Sequence, residues 1–179
     1  EVIKPSKLGL ERKDDPGLMD GFTLSDAKTS SFDETWEPVW GEVKQIRNNY
    51  NELAITLDQK AQDRKMVIRF RLYNDGFAYR FTTNIKDSII VHNEIAQYQF
   101  SQNYPVWVPY VKDSEHKSIE QQFFSSFENQ YTHDKLSNID STRLIFLPCL
   151  VELNNGKKLC ITESDLENYP GMFLKRTQS

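Results

Sequence analysis

Carboxylates follow an apolar run near the end of the sequence. In "CITESDLENYPGM", Glu163, Asp165 and Glu167 come directly after the apolar residues 159–161. A carboxylate that ends an apolar face needs a basic partner, a raised pKa, or a cation such as calcium held by oxygen ligands. The alternative is a strand end that emerges into water, and spacing alone favours this plainer interpretation. The trio does not follow the twelve-residue order of an EF-hand calcium loop.

Aromatic and amide side chains form a second group that could contact a ligand. Trp36 and Trp40 in "ETWEPVWGE" are four residues apart, so on an extended strand they would share a face. Exposed rings of this kind stack on sugars, although packing in a core or an interface is the commoner role. Asn48 and Asn49 in "IRNNYNEL" could bind hydroxyl groups, or they could belong to an ordinary polar turn. These four residues are candidates for contacting a substrate or a neighbouring domain.

Common catalytic motifs do not occur in the sequence. It has no G-x-S-x-G elbow, no phosphate-binding glycine loop, no H-E-x-x-H and no cysteine quartet for zinc. His92, His116 and His133 lack the short spacing of a metal-binding pair and are interpreted as structural histidines. A sugar mutarotase would need one of them beside a carboxylate, acting as a general acid.

The elements that would position these residues are strands. The segment 66–81, "MVIRFRLYNDGFAYRF", alternates apolar and polar residues on both sides of Asp75-Gly76, which predicts a β-hairpin. Arg69, Arg71 and Arg80 lie on its polar face, where pairing with carboxylates across strands is the expected role. The sequence predicts further extended segments at 39–43, 52–57, 88–100, 143–150, 159–163 and 172–175.

Short strands separated by Gly, Asn, Asp and Pro turns predict an all-β sandwich. A polar stretch at about 110–142 is interpreted as a long excursion over the surface. Its apolar residues are mainly Phe123, Phe124 and Phe127, and 119–127 could be a short helix because these rings share a face at helical spacing.

Cys149 and Cys160 flank "LVELNNGKKL", in which Asn155-Gly156 predicts a two-residue hairpin turn. That register places Cys149 opposite Thr162 and makes the cysteines diagonal neighbours on one face. Diagonal Cα atoms are about 7–8 Å apart, beyond the usual reach of a disulfide. Two free, packed thiols are therefore predicted.

Length and charge limit the number of domains and the kinds of partner that the chain can have. The 179 residues are expected to form one β-sandwich domain, 1–179, with a sizeable core. A net charge of -4 and the lack of a basic run argue against a nucleic-acid partner. No apolar run is long enough to span a bilayer. The first residues do not resemble a leader, an absence that leader cleavage or cloning would also produce, and the chain is suspected to be part of a longer protein.

Four stretches in order resemble one known family: "KPSKLGL", "ETWEPVWGEVKQIRNNYNEL", "IRFRLYNDGFAYRF" and "ITESDLENYPGMFL". Together they resemble the amino-terminal domain of glycoside hydrolase family 97, the α-glucosidase and α-galactosidase family. The resemblance implies a super-β-sandwich like that of galactose mutarotase, packed on a (β/α)₈ barrel that carries the catalytic carboxylates. That barrel, and therefore any catalytic residue, would lie outside this chain.

The resemblance also implies a role for Glu163. In the family, a glutamate of the sandwich reaches the barrel site and helps to bind calcium together with barrel glutamates, and its motif position corresponds to Glu163. Calcium takes roughly six to eight oxygen ligands, so little affinity is expected in this chain alone. The expected partners are the barrel of the same protein and an α-linked oligosaccharide. Family members are typically exported, which implies a bacterial periplasmic location.

The resemblance leaves the sugar and the stereochemical branch open. A retaining glycosidase holds its two carboxyl groups about 5–5.5 Å apart, whereas an inverting enzyme separates them by about 6.5–9.5 Å. Two alternatives to an accessory domain stay open. One is a free-standing carbohydrate-binding module, which needs exposed Trp36 and Trp40, and the other, less favoured, is a mutarotase-like enzyme.

Overall fold

Antiparallel strands make up most of the regular structure. The structure, a computed structural model, describes residues 1–13, 17–112 and 114–177. These residues form two compact units: Ser6–Gln97, here the hairpin unit, and Glu1–Pro5 with Tyr98–Ser179, here the terminal unit. Whether they act as the single domain predicted for 1–179 stays a prediction.

Within its described residues, the hairpin unit contains six strands. They are β1 Leu8–Arg12, β2 Thr23–Trp36, β3 Ile46–Gln59, β4 Arg64–Leu72, β5 Phe77–Thr83 and β6 Val91–Ala96. A single 3₁₀ turn, Lys60–Gln62, joins β3 to β4. β2, β3, β4 and β5 form one antiparallel sheet in that order, and β1 pairs with β6. The buried core residues of the hairpin unit are Leu10, Leu18, Met66 and Ile68.

The hairpin predicted from alternation is confirmed. β4 and β5 pair Ile68 with Phe81, Phe70 with Tyr79 and Leu72 with Phe77, as the apolar period of two requires. The Tyr73 amide donates to the Gly76 carbonyl at 2.7 Å, so the turn is centred on residues 74–75, one position earlier than predicted.

The arginines of this hairpin pair with a carboxylate, as predicted for Arg69 and Arg71. Glu52 on β3 accepts from Arg69 Nη1 at 3.0 Å and from Arg71 Nε at 2.9 Å. The Arg71 guanidinium also lies 4.3 Å from the centre of the Tyr50 ring. The Arg71 hydrogen bond, with further help from Arg69, holds the pKa of the Glu52 carboxyl below its ordinary value.

The terminal unit has shorter strands. They are β7 Pro105–Val108, β8 Thr132–Lys135, β9 Cys149–Glu152 and β10 Lys158–Ile161, with helix α1 Ile119–Gln122 and a 3₁₀ turn Leu136–Asn138. The sheet order is β10, β9, β7, β8. One face covers the core, to which Val106, Val108, Val151 and Ile161 belong.

The predicted register of the β9–β10 hairpin is wrong by one residue. Leu153 donates to the Lys157 carbonyl at 2.8 Å, so the loop has three residues, 154–156, rather than two. Gly156 has φ +77°, the left-handed conformation that a three-residue loop places at this position. Cys149 therefore pairs with Ile161, and Leu150 pairs with Cys160.

The shifted register puts the two cysteines on opposite faces. Both are free thiols, as predicted, but Cys149 is buried in the core and Cys160 is exposed. Because side chains alternate along a strand, a slip of one residue exchanges the two faces completely.

Several extended segments predicted from the sequence are not strands. Residues 39–43 form a bent loop, 143–148 are largely irregular, and 172–175 contribute one isolated bridge between Ile145 and Leu174. The stretch 110–142, apart from residue 113, contains α1, β8 and buried side chains such as Val111 and Gln122. The predicted helix at 119–127 is limited to the four residues of α1.

No helix in the described parts of the chain has both the length and the apolar character needed to cross a membrane.

Candidate metal ligand and carbohydrate-contact residues

Glu163 lies two residues beyond the end of β10 and is half-buried. It follows Ile161 on the inward-facing side, so it ends the apolar face as the spacing predicted. Both carboxylate oxygens accept from one donor, the Met172 amide, at 2.9 and 2.8 Å. A Cβ atom on Gly171 would lie 3.5 Å from Glu163 Oε1, so the returning chain runs close beside the carboxylate.

The loop between Glu163 and Met172 is shaped by two residues with positive φ. Asp165 has φ +60° and Asn168 has φ +55°, and these are residue types that tolerate the left-handed region. The Glu167 amide donates to the Asp165 carbonyl at 2.9 Å. These turns bring the chain back on itself, and the Glu163 carboxylate joins the two ends of the loop.

The Met172 amide is one of the partners that a carboxylate at the end of an apolar face needs. No lysine or arginine forms an ion pair with Glu163 within residues 1–13, 17–112 and 114–177. One bifurcated N–H leaves further lone pairs on the two oxygens, because an ionised carboxylate offers about four acceptor sites. The carboxylate can therefore accept a cation as well as the amide.

A complete metal site is not built by these residues alone. Over the described part of the chain, no group of three or more His, Cys, Asp or Glu side chains is arranged to hold a metal ion. Asp165 and Glu167, the other members of the acidic trio, are exposed on the loop. The Glu163 carboxylate alone offers at most two of the roughly six to eight oxygen ligands that calcium takes.

The four predicted contact residues lie on the long β2–β3 hairpin and do not converge. Trp36 is the last residue of β2 and is 46% exposed, whereas Trp40 lies in the connecting loop and is 87% exposed. The expectation that both rings share a strand face is wrong, because β2 ends at Trp36. Asn48 is opposite Glu34 and Asn49 is opposite Asp33, so the two amides point to opposite faces of the sheet.

Trp36 and Asn48 share the face of this sheet that is opposite to the core residues Met66 and Ile68. Asn49 lies on the other side, where Asp33 accepts from Arg47 Nε at 2.8 Å and from Arg47 Nη2 at 2.6 Å. The pKa of the Asp33 carboxyl lies below its ordinary value, mainly because of the hydrogen bond from Arg47. A hydrogen bond from the Asn49 side chain lowers it further. Asn49 is thus part of a local polar network.

A further cluster on the terminal unit joins His133 to residues that no sequence pattern singles out. The Trp107 indole donates to Glu152 Oε1 at 3.0 Å and stacks on His133 with ring centres 4.3 Å apart. His133 Nε2 lies 3.5 Å from Glu152 Oε2, and Lys158 Nζ lies 3.3 Å from Glu152 Oε1. The residues come from four strands, so only the sheet pairing unites them and no sequence spacing indicates them.

This cluster puts a histidine beside a carboxylate, which is what a mutarotase-like enzyme needs. The Trp107 N–H, followed by Lys158, holds the pKa of the Glu152 carboxyl below its ordinary value. The indole N–H and the Lys158 ammonium thus favour the ionised form of Glu152. The cluster borders a shallow hollow of about 280 Å³ and is explained as a network of side chains across the strands.

The fold and a family match together define the class of protein. The described residues form antiparallel sheets, and Glu163 is their half-buried candidate for binding a cation. A family model described as "Glycosyl-hydrolase 97 N-terminal" matches residues 1–179. The chain belongs to this family, so the resemblance found in the sequence is confirmed.

A named relative and two solved structures are similar to this chain. The retaining alpha-galactosidase of Bacteroides thetaiotaomicron is 37% identical over 178 residues, which is 99% of this chain and 26% of that protein. A glycoside hydrolase family 97 enzyme from Pseudoalteromonas sp. strain K8, in complex with acarbose, has a TM-score of 0.82 at 19% identity and covers 99% of this chain and 26% of that one. A beta-arabinopyranosidase has a TM-score of 0.70 at 19% identity over 89% of this chain and 26% of its own.

These likenesses confirm the predicted fold class, an all-β super-sandwich. The chain spans about a quarter of the length of each of these relatives. The part that matches is the N-terminal region by the family's own description. In the relatives, most of the protein therefore lies outside the region that this chain matches.

Proposed function

We propose that this chain is the N-terminal accessory domain of an exo-acting α-glycoside hydrolase. In this proposal it packs on a (β/α)₈ catalytic barrel of the same protein, shapes the substrate pocket and has no hydrolytic activity alone. The observation that carries the proposal is the family match over the whole chain, combined with 37% identity to a retaining alpha-galactosidase. By that relative, α-galactosides are the favoured substrates.

Glu163 is the proposed contribution of this domain to the active site. Its half-buried carboxylate is held in place by the Met172 amide and retains acceptor capacity for a cation. When bound, calcium would neutralise and orient nearby carboxylates as a hard cation with oxygen ligands. Glu163 itself would fix the edge of the site, because its carboxylate accepts from the Met172 amide and so joins the two ends of the loop.

The substrate class is tested on the full-length protein with chromogenic glycosides. The enzyme is expected to hydrolyse the α-galactopyranoside at least about tenfold more efficiently than the α-glucopyranoside, comparing kcat/KM values. The β-arabinopyranoside is the third substrate, because one structural neighbour acts as a beta-arabinopyranosidase. Hydrolysis of none of the three would sink the proposal, and a preference for the glucoside would overturn only the substrate assignment.

The role of Glu163 is tested with two substitutions that separate the metal from the loop. In Glu163→Gln, the amide oxygen still accepts from Met172 but the charge is lost, whereas Glu163→Ala removes both. Both variants of the full-length protein are expected to need at least about tenfold more calcium for half-maximal activity, because neutral oxygens bind the ion more weakly. Only Glu163→Ala is expected to loosen the loop as well.

Glu167→Gln is the matched control, since Glu167 is an exposed carboxylate of the same loop. An unchanged calcium requirement in Glu163→Gln would contradict the metal role. The isolated chain, which brings only one ligand, is expected to show little calcium affinity by calorimetric titration, and a tight specific isotherm would contradict the shared site.

Carbohydrate binding by the free-standing domain is the second candidate. It is favoured by the exposure of Trp40 and Trp36, the condition that this function requires. Screening the chain on a glycan array, beside Trp36→Ala and Trp40→Ala variants, separates the two candidates. Binding that is lost in both variants supports the module, and an empty array supports the accessory domain.

Export to the bacterial periplasm is proposed as well, on the basis of the family resemblance. Fractionation of cells that produce the full-length protein tests it, and recovery with cytoplasmic markers would contradict it.

A further inference from the structure

Four phenylalanine rings on the terminal unit form a continuous chain of contacts, and two of them are among the exposed residues of this unit. The Phe123 ring contacts Phe173 with centres 5.0 Å apart, Phe173 contacts Phe146 at 4.8 Å, and Phe146 contacts Phe127 at 5.5 Å. Phe124, next in sequence, is 91% exposed, and Phe127 is 67% exposed. We name these five residues the phenylalanine patch. Clusters of exposed apolar side chains of this kind are uncommon on soluble proteins and mark sites of interaction.

The segment that carries the patch is fixed by a buried polar residue. Gln122 is 0% exposed, and its amide donates to the carbonyls of Lys117 at 3.1 Å and Thr142 at 2.9 Å. Its carbonyl accepts from the Leu144 amide at 2.7 Å. Every hydrogen bond from this side chain therefore ties α1 to the neighbouring backbone.

Two further contacts hold the same region. Ser118 and Gln121 form a capping box at the start of α1, with reciprocal bonds of 3.0 and 3.3 Å. Arg143 donates to Ser114 Oγ at 2.6 Å and lies 4.2 Å from the centre of the Tyr110 ring. The rings are thus displayed from a fixed backbone, which lowers the entropy cost of binding a partner.

The patch also lies beside the last described segment of the chain. Phe173 belongs to this segment, in which Leu174 and Ile145 exchange two backbone hydrogen bonds of 2.9 Å. Arg176 donates to the Ile139 carbonyl at 3.2 Å. Six extended residues reach at most roughly 20 Å, so in a longer protein the polypeptide after residue 179 would start close to the patch.

We infer that the phenylalanine patch is the docking surface for the catalytic region that follows this domain in the full-length enzyme. The inference rests on the proposed function, because the occupant is the part of the enzyme beyond residue 179. The relatives have that additional length, since this chain covers 26% of each. The partner surface is expected to be apolar, because rings that lack polar groups gain most from contact with aliphatic and aromatic side chains.

Hydroxyl-radical labelling of the full-length protein, read residue by residue by mass spectrometry, tests the assignment. Labelling of Phe124 and Phe127 in the native protein is compared with labelling of the same residues after unfolding in urea. Docking predicts that both are labelled several-fold less in the native protein. Phe77, 56% exposed on β5, is the reference ring, and it is expected to be labelled more than Phe124 despite its lower exposure in this domain.

A double substitution gives a second, functional readout. Phe124→Ser with Phe127→Ser removes two exposed rings and leaves the Gln122 anchor in place, and Phe77→Ser is the control. Trypsin is expected to cut the full-length double variant after Lys175 or Arg176 several-fold faster than wild type, because the domains separate more often. Wild-type cleavage rates with native circular dichroism would overturn the inference.

The outcomes distinguish this inference from the proposed function. An active enzyme whose Phe124 is labelled as readily in the native as in the unfolded protein would overturn the docking surface alone. Native protection with no glycosidase activity would support docking and overturn the proposed activity. A reading frame that stops near residue 179 would overturn both. Protection that disappears on dilution, together with dimers in sedimentation, would assign the patch to a second copy and overturn the inference.

Discussion

The two units reach stable antiparallel sheets by different means. The hairpin unit uses long strands, with 14 residues each in β2 and β3, joined by local turns. The four strands of the terminal-unit sheet have four residues each, and single polar side chains hold the segments between them. The difference teaches that a unit with four-residue strands fixes its connecting segments through single polar side chains such as Gln122, rather than through strand pairing.

The largest expected effect breaks an anchor of the terminal unit. Gln122→Ala would leave the Leu144 amide and two carbonyls without their buried partner, so the free energy of unfolding is expected to fall by about 3 kcal/mol. Chemical denaturation of the 179-residue chain measures the change. Gln130→Ala, at an exposed position of the same stretch, is the control and is expected to change stability by less than about 0.5 kcal/mol. Equal effects of the two substitutions would show that Gln122 does not anchor the terminal unit.

A smaller effect is expected from the ionic network of the hairpin unit. Glu52→Gln weakens the contacts to Arg69 and Arg71, and because both arginines are partly exposed the expected loss at pH 7 is about 1 kcal/mol. The pKa of Glu52 is lowered in the folded state, so its contribution is present above the unfolded pKa and is lost as the pH falls through the folded value.

Denaturation midpoints at several pH values test this dependence. The difference between wild type and Glu52→Gln is expected to be fully present above about pH 4.5, the ordinary pKa of a glutamate, and to shrink as the pH falls from there through the lower pKa of the folded state. Glu34→Gln serves as the control, because Glu34 lies on the neighbouring strand β2 and on the same face of the sheet as Glu52. A difference that stays constant down to acid pH would show that the charge of Glu52 contributes nothing.

The smallest change, which is also the sharpest test of register, concerns the labelling of the cysteines. The pKa of the Cys149 thiol is raised to about 11, chiefly by burial, so roughly one thiol in a thousand is ionised at pH 8. Cys160 is exposed on the other face of the sheet. Iodoacetamide is therefore expected to label Cys160 in the native chain and Cys149 only after unfolding, with Cys160→Ser as the control. Similar labelling rates would restore the one-face register that the sequence predicted.

How far the sequence predicts the structure differs between the units for a physical reason. In the hairpin unit, the alternation around Ile68 and Phe81 specifies the strands and their apolar face, because a period of two is a local property, although the turn lies one position earlier than predicted. In the terminal unit, a four-residue strand carries too few side chains to show a period. The loop that ends at Gly156 has three residues rather than the predicted two, and this difference places Cys160 on the face opposite Cys149.

The candidate site was predictable in part. The position of Glu163 at the end of an apolar face follows from spacing, and the family resemblance suggested a metal role for it. Its bond to Met172 depends on two left-handed residues, Asp165 and Asn168, whose conformations the sequence does not specify. The separation of Trp36 from Trp40 depends on where β2 ends, and strand ends are the least predictable feature of a sheet.

The solvent exposure of β2 has a consequence for how the protein behaves at high concentration. β2 is the outer strand of its described sheet, and such edges can recruit another chain and seed aggregates. Asp26, Lys28, Asp33 and Glu34 interrupt this edge with charge, and the pairing shifts register between Leu24 and Asp26. A bulged, charged edge is a poor template for a second strand. The same strand that extends the sheet is therefore protected against fibre growth by its own side chains.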